Sequence, residues 1–259
     1  MKTILIIGSN SPLARKFIAH TINKFNIIGA TTSDFDNEIN IEWVNIEQSI
    51  FKLKQKLTST DVVINFSWSR TNNLENIRLN KFLIEHKKKS TKLIFISSIS
   101  ASPKSRSHYS KNKFLVSELI KTNNETNVML GLVDHQGSAQ INQLIKIITL
   151  LPFSLRFSYN FFNIYLIHQH SFLMKLEELL LTDKKRGNYA MYDKILGIND
   201  FIEFLETKHV IKKKISITCP VFLIKFFLLF INIIPIKISL FDKLFTFIYK
   251  DVKWINNLD

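Results

Sequence analysis

The sequence predicts an α/β protein: a doubly wound parallel sheet followed by a small, mostly helical C-terminal lobe. Three observations carry this. Short apolar runs such as Ile4-Leu5-Ile6-Ile7 and Val62-Val63-Ile64 have the length and β-branched content of strands buried on both faces. An amphipathic helical pattern follows each, and the alternation repeats up to Glu118, as in sheets covered by helices on both sides. Finally, 46% of the 259 residues are hydrophobic and 22% charged, which excludes a disordered chain and allows a sizeable core.

The first unit is a strand from Lys2 to Gly8, then a turn that passes into a helix with Leu13, Phe17 and Ile18 on one side. A strand, a turn of small residues and a helix N-terminus make a dinucleotide site: the backbone can approach a pyrophosphate, and the helix supplies free N–H groups and its positive dipole end. Gly8 is the one glycine here; Ser11 and Ala14 stand where the usual spacing has the second and third, and Pro12 and Leu13 lie between them. Of these, Ala is an accepted variant of the third position.

A second strand, Asn26 to Thr31, runs into Thr31-Thr32-Ser33, where an NAD site would have a carboxylate for the ribose hydroxyls. Without that acid nothing repels a 2′-phosphate, and Arg15 is a candidate partner for one, so the reading leans to NADP over NAD. Asp34 and Asp36 argue the other way, because a small shift of the strand end restores an acid. Ile39 to Ile46 is the third strand, ending Val44-Asn45-Ile46, and Glu47 to Leu57 is a helix with Ile50, Leu53 and Leu57 on one face. The fourth strand, Asp61 to Ser67, ends in a small residue over which a cofactor can pass. Leu74 to His86 is helical, closed by Lys87-Lys88-Lys89 at its carbonyl end.

The next unit, Lys92 to Glu118, brings chemistry. A buried strand ends in Ser97-Ser98; a polar Ser- and Lys-rich loop leads to Tyr109-Ser110-Lys111-Asn112-Lys113 at the head of an amphipathic helix. A hydroxyl, a phenol and an amine placed together suit hydride transfer coupled to proton transfer at a carbinol or carbonyl carbon. A phenol, with a pKa of about 10, serves as acid or base near neutrality only if something lowers it. Lys113, four residues on, puts its ammonium on the same helix face as Tyr109, and Ser98 at the strand end can hydrogen-bond the substrate oxygen. In so Lys-rich a chain the Tyr–Lys pair alone says little; the strand and serines before it give it weight.

The formal charge of +14 invites a nucleic-acid reading, but the lysines are scattered through helical patterns among Ile, Asn and Phe, so no nucleic-acid partner is expected. The single cysteine, Cys219, excludes an internal disulfide framework and fits a reducing compartment. Met1-Lys2-Thr3 enters an apolar strand directly, so no secretory signal is expected.

On these residues the chain resembles the extended short-chain dehydrogenase/reductase superfamily, the NAD-dependent epimerase/dehydratase family that works on nucleotide sugars. The matching stretches are ILIIGSNSPLA, VNI, DVVINFS, LIFISS and YSKNK, then Gly131-Leu132-Val133, Ile164 to Leu180, Gly187-Asn188-Tyr189 and Asp200-Phe201-Ile202. The resemblance implies a Rossmann-like NAD(P)-binding core over residues 1–135, and over 136–259 the last strands of the core with a substrate lobe and apolar C-terminal helices. It implies Tyr109 as acid/base, Lys113 on the nicotinamide ribose and lowering the phenol pKa, and Ser98 and Tyr109 on the substrate oxygen. It places Gly8, Ser11, Pro12, Leu13, Ala14, Thr32, Asn45, Ile46 and Ser67 along the cofactor, and His135 and Arg156 beside the substrate. The implied activity is that of an oxidoreductase or epimerase on a nucleotide-activated or lipid-linked sugar in surface polysaccharide synthesis, in the cytoplasm, with room for a homodimer.

There are departures. Asn45 stands where the family usually has an adenine-contacting Asp, and Asn65-Phe66-Ser67-Trp68 replaces a His-Leu-Ala-Ala type sequence. The Arg-Pro after the sixth strand is missing, His168-Gln169-His170-Ser171 lacks the paired acids, and the loop from Ser98 to Tyr109 is short. No acidic pair stands beside Ser98 to carry an elimination, which disfavours a dehydratase.

In the second half, Gln140 to Leu151 is helical and Pro152 to Ile167 is aromatic-rich, with Arg156, Tyr159 and Tyr165. Arg156 could meet a diphosphate, though an Arg in such a stretch is more often a surface charge with a packed stem. His168 and His170 have a strand-like metal spacing but no third ligand, so no metal is expected. Val221 to Pro235 is apolar, yet it falls short of the roughly twenty residues a spanning helix needs and is broken by Lys225, Asn232 and Pro235. It can pack in the lobe or, with Lys212-Lys213-Lys214, Lys237, Lys243 and Lys250 around it, lie on the inner face of an anionic membrane. The alternatives to an enzyme are a non-catalytic NAD(P)-binding regulator and a membrane-peripheral scaffold of the same fold.

Overall fold

A computed structural model describes residues 1–33, 41–69, 72–105, 107–135, 139–150, 153–160, 163–182, 186–209, 211, 215–220 and 256–257. The acids Asp34 and Asp36 and the apolar stretch 221–250 lie outside the described residues.

Strand β1 (Thr3–Ile7) leads through a turn into α1 (Pro12–Thr21), and β2 (Asn26–Thr31) and β3 (Glu42–Asn45) follow. Next come α2 (Ile50–Ser59), β4 (Val62–Asn65), α3 (Asn73–His86), β5 (Lys92–Ser98), α4 (His108–Thr122) and β6 (Thr126–Leu130). The second half contains β7 (Leu132–Asp134), α5 (Ala139–Leu150), β8 (Ser154–Phe157), β9 (Asn163–His168), α6 (Gln169–Leu181), β10 (Asn188–Met191), β11 (Lys194–Gly197), α7 (Ile198–Lys208), β12 (Ser216–Cys219) and the two-residue β13 (Asn256–Asn257).

The main sheet runs β3-β2-β1-β4-β5-β6-β10, with β13 at its edge, and every pairing in it is parallel. The order reverses between β1 and β4, which opens a crevice at the carboxyl ends of these strands, where ligands of open α/β sheets bind. Because successive strand residues face opposite sides, β1 feeds two cores. Ile4 and Ile6 pack with Phe17 and Ile18 of α1 and Phe172, Leu176 and Leu179 of α6. Leu5 and Ile7 pack with Leu53 and Leu57 of α2, Leu83 of α3 and Val116 and Ile120 of α4. Doubly wound construction therefore follows from strands with no polar side, as the sequence reading expected.

The lobe adds short strands to its helices. A small sheet, β11-β9-β7, and the pair β8–β12 support α5 and α7 around Leu132, Ile141, Ile164, Leu166, Phe201 and Leu205. Helix α2 starts three residues later than the apolar pattern suggested. Asn45 Oδ1 accepts from the N–H groups of Glu47 and Gln48, both at 3.0 Å, so the chain makes a turn before Ser49 caps the helix. Ile50, expected on the buried face, is 57% exposed in the first turn.

At the amino ends of the strands, Glu125 is buried and accepts from Leu93 N while pairing with Lys87 and Arg186. On the α1–α6 face, Glu177 joins His20 and Lys24; the Lys24 hydrogen bond chiefly holds its carboxyl below the usual range. Among the described residues no helix is long and apolar enough to cross a membrane.

Candidate active site

The crevice is lined from both sides of the reversal. Gly8, just past β1, has φ +74°, a region that L side chains rarely adopt, and a Cβ built there would lie 2.7 Å from Ser67 N. Glycine thus lets the β1 and β4 loops touch. The turn closes with Ser11 N donating to Gly8 O, and Ser11 caps α1 by accepting from Ala14 N, with Pro12 in the first turn. Ser11 therefore builds the turn as well as lining it, and Leu13 packs partly buried against the α1 side of the core.

At the end of β2 the acid that binds ribose in an NAD site is absent from Thr31, Thr32 and Ser33. Hydroxyls and an amide stand there instead: Thr31 Oγ1 lies 3.0 Å from Ser33 Oγ, which accepts from Asn10 Nδ2 at 2.7 Å. Thr32 is exposed beside them. Asn45 ends β3 with its oxygen turned onto the following backbone, and Ile46 is fixed by its N–H to Thr31 O.

The loop after β4 is held by Asn65, noted above only as a departure, and by asparagines after it that the sequence reading passed over. Asn65 Oδ1 accepts from Ser67 N, and Asn65 Nδ2 donates to Asn80 Oδ1. Asn80 Nδ2 donates to Asn76 O; Asn76 in turn accepts from Ser69 N and donates to Ser69 O and Asn72 O. The N-cap Asn72 and, on α3, the buried Asn76 and Asn80 recur every four residues, a polar stripe on an otherwise half-apolar helix. That spacing was the available signal, since three amides on a face that must meet a strand end need partners there.

Ser98 is carried by the end of β5, and Tyr109 and Lys113 by the first two turns of α4. Ser98 is the last residue of β5, half-buried, with its hydroxyl 2.8 Å from Ser100 Oγ and accepting from Ser100 N. Ser110 Oγ donates to Ser100 Oγ at 3.3 Å. The short loop between Ser98 and Tyr109 is a run of serine-closed turns: Ser102 accepts from Lys104 N, Ser105 from Ser107 N, and Ser107 caps α4 through Ser110 N. The cap sets Tyr109 in the first turn of α4, half-buried.

Lys113 takes a different course from the one its spacing suggested. Its Nζ donates to Ile96 O at 2.8 Å and lies 4.1 Å from the centre of the Trp68 ring and 4.6 Å from that of Phe95. The Trp68 ring meets the Tyr109 ring edge-on with centroids 5.8 Å apart. Burial pushes the Lys113 ammonium down to about 7. The i, i+4 rule gives the face of the helix; it says nothing of the tryptophan set against that face.

The substrate-side residues are more scattered. His135 follows Asp134 at the end of β7, where buried Asp134 pairs with Lys208 of α7 and lies 3.3 Å from His168 Nδ1. Arg156, expected at a diphosphate, pairs with Glu206 of α7 at 2.7 Å, and Glu206 also accepts from Ser154 Oγ, so the arginine braces β8 against α7. His168 closes β9 while His170 lies in α6, so the two do not share a strand face. Among the described residues no group of three or more His, Cys, Asp and Glu could hold a metal ion. Asp193 receives hydrogen bonds from His168 N, Lys175 and Ser171. Burial raises its carboxyl, but these contacts outweigh burial and leave it below the usual value.

The strand order and the Gly8 turn give this chain a Rossmann-like fold, which it shares with solved short-chain dehydrogenase/reductase and sugar-nucleotide epimerase structures. Solved structures bear this out. UDP-N-acetylglucosamine 4-epimerase from Bacillus cereus superposes with a TM-score of 0.65 at 12% identity, covering 85% of this chain and 86% of its own. A short-chain dehydrogenase/reductase superfamily protein from Agrobacterium tumefaciens with bound NAD gives 0.63 at 13% identity, over 84% and 86%. UDP-glucuronic acid 4-epimerase from Bacillus cereus, in complex with UDP-glucuronic acid and NAD, gives 0.62 at 16% identity, also over 84% and 86%. No protein-family model matches the sequence, and no curated protein matches it significantly.

Proposed function

We propose that the chain is an NAD(P)-dependent enzyme acting on a nucleotide-activated or lipid-linked sugar, as an epimerase or a reductase, in the cytoplasmic stages of surface polysaccharide synthesis. The observation that supports the reading is the placement of Ser98 at the end of β5 and of Tyr109 and Lys113 in the first two turns of α4, in the sheet whose β1 and β4 loops touch through Gly8. The solved sugar-nucleotide epimerases of the same fold support it.

The crevice fits the pyrophosphate half of a dinucleotide. The Gly8 turn lets the β1 and β4 loops close on each other, and α1 presents its N-terminus beside them. The hydroxyl cluster of Thr31 and Ser33 with Asn10 favours the phosphate-bearing form, since it offers donors where a carboxylate would repel. When bound, the nicotinamide supplies the hydride acceptor or donor. Tyr109 exchanges the proton with the sugar oxygen; Ser98, steered by Ser100, hydrogen-bonds that oxygen; and a charged Lys113 favours the phenolate. The lobe within residues 136–259, outside the core elements α6 and β10, would hold the nucleotide-sugar, with His135 beside it.

The deciding experiment is incubation with a panel of UDP- and dTDP-linked keto and hydroxy sugars, following both cofactor oxidation and product stereochemistry. Stoichiometric loss of reduced cofactor identifies a reductase, and product without net loss an epimerase. The Trp68 ring over Lys113 favours a second reading, a dinucleotide-binding regulator without turnover; cofactor binding with no conversion across the panel would select it.

A further inference from the structure

We infer that the Trp68 indole is a movable cover over Lys113 and Tyr109, which a bound dinucleotide displaces by rotation of the side chain alone. The inference rests on the dinucleotide reading of the crevice and concerns what the chain must do to admit the ribose end.

Lys113 is 4% exposed. One of its three N–H donors goes to Ile96 O, and the faces of Trp68 and Phe95 lie over the ammonium at 4.1 and 4.6 Å. A ligand hydroxyl can reach Nζ only where a ring has left. Phe95 cannot be the one. It is fully buried in the middle of β5, and its backbone is paired in register with Asn65 of β4 and Asn127 of β6. Trp68 lies past the last paired residue of β4 and is only partly buried, against the α2–α4 side of the core. Besides its packing on that core, its ring lies over the Lys113 ammonium, 6.3 Å from the Phe95 ring and edge-on to Tyr109.

The backbone on either side is pinned. Ser67 N is held by Asn65 Oδ1 and Ser69 N by Asn76 Oδ1, each at 2.8 Å, and both asparagines belong to the buried chain that runs to Asn80. Swinging the loop would break these bonds, whereas rotating the Trp68 side chain breaks none of them. One rotation frees both the ammonium and the phenol edge, so uncovering the amine and uncovering the acid/base are a single event. A small residue at position 68 would need no such step.

The test is isothermal titration of NAD⁺ and NADP⁺ into the full chain and its Trp68→Phe and Trp68→Ala variants, each checked for folding by circular dichroism. If ligand must displace the ring, truncation removes a contact that competes with it. The Ala variant should then bind about 3- to 30-fold tighter than wild type, the range of a partly desolvated cation–π contact, with Phe between. Binding by the Ala variant alone supports the cover equally. Affinity that is unchanged or weaker in Trp68→Ala overturns it, because the ring would then be indifferent to the ligand or a wall for it. Should the Ala variant not fold, Trp68 emission in a Trp43→Phe/Trp254→Phe chain decides. Saturating ligand must shift its maximum; an unmoved spectrum with ligand bound overturns the inference. No binding by any form removes the dinucleotide reading and the cover with it, whereas binding without a Trp68 effect removes the cover alone.

Discussion

Replacing Lys113 with Met should make the protein more stable at pH 6 and no more stable at pH 9. Burial carries the ammonium from 10.5 down to about 7. At about 1.4 kcal/mol per tenfold, keeping it charged in the fold below pH 7 costs about 5 kcal/mol. Losing the donor to Ile96 O and the fit of the long stem against Trp68 and Phe95 costs the variant about 3 kcal/mol, leaving a gain of about 2 kcal/mol at pH 6. Above the folded pKa of about 7 the amine is neutral in the native state while the unfolded chain still binds the proton. Wild-type stability therefore rises with pH from 7 towards 10.5, by about 3 kcal/mol between pH 6 and 9, and the Met variant lacks that rise. Urea unfolding followed by circular dichroism at the two pH values measures it. The reasoning fails if Lys113→Met is no more stable at pH 6, or if the difference between the two proteins is the same at both.

Tyr109→Phe should fold normally and lose about 10²- to 10⁴-fold in sugar conversion, with cofactor affinity retained in equilibrium titration. Gly8→Ala forces a side chain into a left-handed φ and against the Ser67 backbone; it should lower stability by about 1–3 kcal/mol in thermal melts and abolish cofactor binding in the same titration. Asn80→Ala strips the partner from buried Asn65 Nδ2 and should cost about 1–3 kcal/mol in urea unfolding. If that variant is as stable as wild type, the asparagine chain is not what pins the β4 loop.

The fold was legible because its signals are local. Apolar strands with no polar side, such as Leu5 to Ile7 and Val62 to Ile64, need helices on both faces wherever they lie, and the alternation of strand and helix then allows few topologies. The elements that carry Ser98, Tyr109 and Lys113 were legible for the same reason, since a strand end and the first turns of a helix leave local signals. What escaped depends on residues far apart in the chain. Arg156 finds Glu206 across 50 residues, and the four-residue strand β8 finds β12, so neither leaves a periodic trace. The asparagine stripe on α3 was visible but gains meaning only once Asn65 is seen to end a strand beside it. Trp68 was noted as a departure, yet that it covers the amine depends on how β4 and β5 pair.

The order of the sheet also shapes how the chain leaves the ribosome. Strand β6 is complete by Leu130, but its outer neighbour β10 is made only at Asn188–Met191, after β7, α5, β8, β9 and α6 have been synthesised. Until then β6 presents an unpaired edge, and the buried Glu125 at its base waits for Arg186 to complete its set of cations. A bare edge of this kind recruits strands from other chains. A nascent or truncated form ending near residue 135 should thus be a substrate for chaperones and prone to aggregate, and the molecule is best produced with its second half attached.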